Sequence, residues 1–195
     1  MNVLVIGNGG REHTLAWALA QSATIQSVIC IPGNGGTATM DKCQNVTLDI
    51  TDFSGIEQVA TTHTVGLIVV GPEAPLAAGM ADYFLEKGFT VFGPRQDGAQ
   101  IEASKAWAKA LMQEAGIPTA KAGVFTNAAD AKAYVTAEGA PIVVKADGLA
   151  AGKGVTVAQT TAEAIQAIEE AFDGRFGDAG HRVVIEECLM GQEAS

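Results

Sequence analysis

Asn2-Val3-Leu4-Val5-Ile6-Gly7-Asn8-Gly9-Gly10-Arg11 decides the class of this chain. Four consecutive apolar residues, three of them β-branched, stop at a glycine, the pattern of a strand buried on both faces. Residues 12–21 (EHTLAWALAQ) then take helical spacing, with Leu15, Ala16 and Leu19 on one side. The same alternation continues outward. A strand at 27–31 ends at Pro32-Gly33, and a third short strand is expected at 46–49. A helix capped by Asp52 runs to Thr62, and a strand at 66–70 closes at Gly71-Pro72. A helix at 75–87 and a strand at 89–92, closed by Gly93-Pro94, complete the series. Strand–helix alternation with apolar strands predicts an α/β fold built on a doubly wound parallel sheet over residues 1–100. Ligands of such sheets bind beyond the strand C-termini, which collects the Gly- and Pro-rich loops at 7–10, 32–36, 71–73 and 93–95 on one edge.

From about Gln96 the pattern changes. One long helix is expected over 97–115, ended by Gly116-Ile117-Pro118, and residues 101–121 read as a linker helix region. Lys105 and Lys109 lie one turn apart on it, with Lys109 expected on the solvated face. Strands at 122–125, 141–146, 154–158 and 182–187, with helices at 128–137 and 161–172, then form a small α+β unit over 122–190.

Composition narrows the function. The 195 residues are 48% hydrophobic and carry a net charge of −10 from 12 basic and 22 acidic residues. No basic stripe stands out, which argues against a nucleic-acid surface. No apolar run reaches the roughly 18 residues of a spanning helix, which argues against a membrane protein. Cys30, Cys43 and Cys188 are odd in number and far apart, so they read as free thiols of a cytoplasmic protein. His13, His63 and His181 are scattered and suggest no metal site.

Two motifs carry chemistry. Gly7-x-Gly9-Gly10, between a buried strand and a helix, suits an anion at the helix N-terminus. A dinucleotide fingerprint would need glycine where Glu12 stands, and an acidic residue where the second strand ends in Ile31-Pro32-Gly33. A phosphate held by backbone N–H groups with Arg11 remains, as does a turn that only needs its glycines. The second motif is 143–155 (VVKADGLAAGKGV), where Lys145 ends a buried strand and a Gly-rich hairpin follows. An interior lysine is costly unless its charge is met. The spacing is not that of a Walker loop; a hairpin lid over a triphosphate fits, as does a flexible hairpin with solvated lysines.

Five ordered blocks span essentially the whole chain: 2–19 (NVLVIGNGGREHTLAWAL), 70–84 (VGPEAPLAAGMADYF), 92–112 (FGPRQDGAQIEASKAWAKALM), 141–155 (PIVVKADGLAAGKGV) and 183–195 (VVIEECLMGQEAS). They closely resemble the first part of the glycinamide ribonucleotide synthetases, a family of ATP-grasp ligases. The resemblance implies an N-terminal α/β domain that takes 5-phosphoribosylamine, followed by the small ATP-grasp lobe. It implies a reaction in which ATP phosphorylates the carboxylate of glycine and the amine attacks the acyl phosphate. It places Lys105, Lys145, Gly148, Gly152, Lys153, Gly154, Glu186 and Glu187 at ATP, with 148–154 as a mobile loop over the phosphates. Gly9, Gly10, Arg11, Gly71, Pro72 and Glu73 would hold the phosphoribosyl substrate. On residue type alone, Lys105 reads equally as a solvated helix lysine, and the Glu pair as an exposed strand end. Mg²⁺ or Mn²⁺ is implied for the complete enzyme, but its ligands belong to a second ATP-grasp lobe with no counterpart here. No catalytic residue is assigned, and the isolated chain is expected to be inactive. Two alternatives stay open: a non-catalytic sugar-phosphate or nucleotide-binding module, and another ATP-grasp ligase.

Overall fold

In the computed structural model, which describes residues 1–148 and 154–192, the N-terminal apolar run is strand β1 (Asn2–Gly7), the middle of a five-stranded sheet. Its companions are β2 (Ser27–Pro32), β3 (Cys43–Asn45), β4 (Val65–Val70) and β5 (Val91–Phe92). The order is β3-β2-β1-β4-β5, and every pairing is parallel. Val3, Leu4, Val5 and Ile6 are wholly buried because successive side chains feed two different cores. Leu4 and Ile6 join Ile29, Ile31, Ile68 and Phe84 on one face, while Val3 and Val5 join Val28, Cys30, Val69 and Ala16 on the other. Each such side chain contributes about 1.5–3 kcal/mol by leaving water. Helix α1 (Gly10–Ala20) supplies Ala16 to the second layer. Helices α2 (Phe53–Thr62), α3 (Glu73–Ala77) and α4 (Met80–Glu86) supply Ile56, Leu76 and Phe84 to the first.

Some elements differ from the sequence expectation. The third strand is at Cys43–Asn45, not at 46–49. Val46 N–H still reaches Cys30 O at 2.9 Å, after which β2 has only Ile31 and Pro32 left to offer. Leu48 and Ile50 then pack half-buried against the core outside any strand, as Val46 does, so their period of two reports packing and not a continued ladder. The helix expected at 75–87 is split by Gly79, whose φ of +90° caps α3 in the left-handed conformation. The long helix expected over 97–115 is also two: α5 (Gln96–Ala103) and α6 (Lys105–Glu114). Ser104 between them is extended, and its hydroxyl accepts the Trp107 N–H, a helix N-cap.

The chain divides into two units, Met1–Ala99 and Gln100–Ser195. The second contains α6 and a four-stranded antiparallel sheet, β6-β9-β7-β8. Its strands are β6 (Ala122–Phe125), β7 (Ile142–Ala146), β8 (Val155–Ala158) and β9 (Val183–Glu187). Helices α7 (Ala128–Glu138) and α8 (Thr161–Glu170) cover one face, burying Ile142, Val144, Val183 and Ile185 against Val135 and Ile168. Beyond α8 the expected helix turns wider over Ala171–Arg175, with Gly174 at a φ of +87°. The alternation that sends Val144 and Ile185 to the helices sends Lys145 and Glu186 to the opposite face. Since Val143 faces Glu186 and Lys145 faces Val184 in the antiparallel register, those two side chains are diagonal neighbours.

Candidate functional site

In the first unit the loops after β1, β2 and β4 are tied together by polar side chains. Asn34 Nδ2 donates to Asn8 O at 3.0 Å, and Asn34 Oδ1 accepts the N–H groups of Gly36 and Thr37. Asn45 holds this turn from β3 by accepting the Thr37 hydroxyl at 2.7 Å and donating to Asn34 O at 2.8 Å. At the start of α1 stands Glu12, only 4% exposed. One carboxylate oxygen accepts Gly9 N–H at 2.8 Å, and the other accepts Arg11 Nε–H at 2.7 Å. Gly7 and Gly71 make room for it: a Cβ on either would lie 2.4 or 2.2 Å from Glu12 atoms. The residue that breaks the dinucleotide fingerprint is therefore the clasp between the loop after β1 and the loop after β4. Arg11 also reaches Glu73 at 3.4 Å, and its hydrogen bond to Glu12 raises the guanidinium pKa further above its ordinary value. Gly10 stands exposed at the same edge with open space around its Cα.

In the second unit a cleft of about 530 Å³ opens on the sheet face away from α7 and α8. Lys105, Lys109, Lys145 and Glu186 line it together with apolar Ile101 and Leu189. Its size is that of a small-molecule site. Lys145 Nζ donates to Glu186 at 2.7 Å, so the strand-end lysine has the counter-charge its burial requires. Lys105 Nζ donates to Gly148 O at 2.9 Å. Gly148 has a φ of +112° and lies close to Ala179, which favours glycine there. Gly154 O accepts Ala146 N–H at 2.8 Å and closes the β7–β8 ladder. Gly152, Lys153 and the rest of the expected loop over 149–153 lie outside the described residues.

Three placements were not foreseen. Lys109 is not on a solvated face: it is 7% exposed. With Ala106 it forms the inner face of α6, and Thr119 Oγ1 (2.7 Å), Ala120 O (2.9 Å) and Glu186 (3.4 Å) surround its ammonium group. Asp147 is 9% exposed and crosses to the N-terminus of α6, accepting Ala106 N–H at 3.1 Å and the Ser104 hydroxyl at 3.1 Å. Arg182 lies 3.3 Å from the same carboxylate. Glu187, by contrast, is exposed and does not line the cleft; its carboxylate accepts the N–H of Lys121, just before β6, at 2.8 Å. Glu12 had a signal in the sequence, the failed glycine position. Asp147 and Lys109 had none, since both are met by groups remote in sequence. Among the described residues, no cluster of His, Cys, Asp and Glu could hold a metal ion, and no helix is long and apolar enough to cross a membrane.

Comparison with known proteins assigns both units. Residues 1–102 match the family model of the phosphoribosylglycinamide synthetase N domain, and residues 103–195 match that of the phosphoribosylglycinamide synthetase ATP-grasp (A) domain. The chain belongs to the phosphoribosylglycinamide synthetase family. Phosphoribosylglycinamide synthetase relatives agree along its whole length. It is 68% identical to a phosphoribosylamine–glycine ligase of Nostoc sp. and 59% identical to that of Ralstonia nicotianae, in both cases over 100% of this chain and 46% of the relative. The chain thus spans about half the length of these ligases. The crystal structure of phosphoribosylamine–glycine ligase from Thermotoga maritima superposes with a TM-score of 0.78 at 30% identity, over 98% of this chain and 45% of that one. A biotin carboxylase domain from Hydrogenobacter thermophilus, solved with MgADP, shares the fold with a TM-score of 0.76 at 22% identity, over 96% of this chain and 44% of that one. In synthetase terms the Glu12 clasp lies in the N domain, and the lysine-lined cleft lies in the ATP-grasp domain.

Proposed function

We propose that this chain supplies the phosphoribosylamine site and half of the ATP site of a phosphoribosylamine–glycine ligase. In that reaction ATP phosphorylates the glycine carboxylate, and the amine of 5-phosphoribosylamine displaces phosphate from the glycyl phosphate. Glycinamide ribonucleotide, ADP and phosphate result, within cytoplasmic purine biosynthesis. The observation that carries the reading is the cleft lined by Lys105, Lys109 and Lys145, two of which, Lys109 and Lys145, share the carboxylate of Glu186. Three ammonium groups against the two carboxylates of Glu102 and Glu186 leave a net positive charge in a partly apolar cleft, which suits a nucleotide phosphate tail.

Lys145 and Lys105 would meet the phosphates, and Gly148, Gly152, Lys153 and Gly154 would belong to the segment covering them. Glu186 would face the base, with Ile101 and Leu189 against its ring. Glu187 contributes at most its backbone, because its carboxylate is held by Lys121 N–H. In the N domain, Gly10, Arg11, Pro72 and Glu73 would receive the phosphoribosyl group, while Glu12 keeps Gly9 and Gly71 at the distance this needs. Mg²⁺ or Mn²⁺ would accompany the nucleotide; the described residues offer no cluster of His, Cys, Asp and Glu to hold it. The test is calorimetric ATP binding and ADP release by the protein expressed from its complete coding sequence, with glycine and 5-phosphoribosylamine. ATP-dependent turnover that Lys145→Ala lowers is the expected result. Absence of ATP binding would remove the reading.

A further inference from the structure

We propose that Lys109 is a positioning residue: it is the standing counter-ion of Glu186, and it thereby leaves Lys145 free to transfer to a nucleotide phosphate. The proposal rests on the nucleotide reading of the cleft. Glu186 is 7% exposed and shows one oxygen to each lysine, Oε2 to Lys145 at 2.7 Å and Oε1 to Lys109 at 3.4 Å. The two lysines are not equivalent. Lys109 donates hydrogen bonds to Thr119 Oγ1 and Ala120 O and forms an ion pair with Glu186 at 3.4 Å. Its side chain is 9% exposed and held by these three partners, so it has little room to turn. The Lys145 side chain is 27% exposed, and Glu186 is its one partner among the described residues. Lys145 is therefore the lysine that can swing.

A swing has an electrostatic condition. A buried carboxylate stripped of its only cation is strongly unfavourable, so a lone Lys145–Glu186 pair would resist any phosphate that tried to draw Lys145 away. With Lys109 present, the group of three carries one net positive charge. Glu186 then keeps a fixed cation when Lys145 leaves. Lys109 thus acts on the phosphates through Glu186 and Lys145, without touching them.

The experiment is a double-mutant cycle in the protein expressed from its complete coding sequence, reading the ratio of ATP to adenosine affinity by calorimetry. Adenosine reports the base and sugar contacts, including any made by Glu186 itself, so the ratio isolates the phosphate tail. Lys109→Met should lower the ratio by about 10- to 100-fold, because Lys145 becomes the sole counter-ion of Glu186. In the Glu186→Gln background the same Lys109→Met change should lower it by less than about threefold, since no buried charge then holds Lys145. Lys109→Gln, which can still hydrogen-bond to Thr119, reads the same cycle if Lys109→Met does not fold. A ratio unchanged by Lys109→Met, or a loss that persists undiminished with Glu186→Gln, overturns the counter-ion role. Failure of the unsubstituted protein to bind either ligand overturns the nucleotide reading first, and this proposal with it.

Discussion

Replacing Asp147 by alanine should loosen helix α6 from the end of strand β7. The carboxylate accepts Ala106 N–H and the Ser104 hydroxyl, each at 3.1 Å, at a site where Asp147 is 9% exposed. Losing a side-chain cap from a helix N-terminus costs about 1 kcal/mol. The bonds here are charge-assisted and aligned with the helix dipole, which raises the sum to about 2–4 kcal/mol. Arg182 adds little, about 0–1 kcal/mol, because its side chain is half exposed and water replaces the ion pair. Asp147→Asn keeps an acceptor for Ala106 N–H and should cost only about 1 kcal/mol. Trp107, in the first turn of α6, reports the change. With the exposed Trp17 replaced by phenylalanine, urea unfolding followed by fluorescence tracks α6 alone. The order alanine, asparagine, unsubstituted, in rising stability, is the expected result. An Asp147→Ala protein within about 0.5 kcal/mol of the unsubstituted one would refute the clamp, since that is the range of a neutral surface change.

Glu12→Gln should cost about 1–3 kcal/mol, because an amide NH₂ must then face either Gly9 N–H or Arg11 Nε–H, and two donors cannot pair. For a unit of this size that is a thermal midpoint lower by roughly 5–15 °C, and an unchanged midpoint would dismiss the clasp. Lys145→Ala should weaken ATP binding about 10- to 100-fold, whereas Glu187→Ala should stay within about threefold; equal losses would place Glu187 in the site after all. Burial, chiefly, pushes the Cys30 thiol up to about 11 from an ordinary 9.0. Iodoacetamide at pH 8 should therefore modify Cys188 well before Cys30, and rapid native labelling of Cys30, read by mass spectrometry, would contradict its burial. By the same linkage, native stability contributed by the neutral Cys30 thiol is intact below pH 9 and falls as pH rises toward 11; Cys30→Ala should flatten that slope in denaturant titrations.

The parallel sheet was legible at Val3–Ile6 and its repeats, because a strand buried on both faces must be apolar at every position and a glycine must end it. Asp52, whose side chain accepts Gly55 N–H, was legible as a cap because capping is local chemistry. Lys145 announced itself as a charge inside an apolar strand, and the Gly-rich blocks around it carried the family resemblance. What the residues could not disclose was which remote group answers each buried charge. Lys109 on α6 and Glu186 on β9 are 77 positions apart, and Asp147 meets Ser104 across 43. No periodicity links such partners, so Lys109 read as an ordinary helix lysine until Thr119, Ala120 and Glu186 closed around it. Likewise Val46, Leu48 and Ile50 alternate like a strand, yet only tertiary packing decided that they would be half-buried outside one. Local propensity and period are written residue by residue and can be read in one dimension. The pairing of buried polar groups is a condition on three-dimensional proximity, imposed by the cost of leaving a charge or an N–H unmet, and only the folded chain shows how that condition is satisfied.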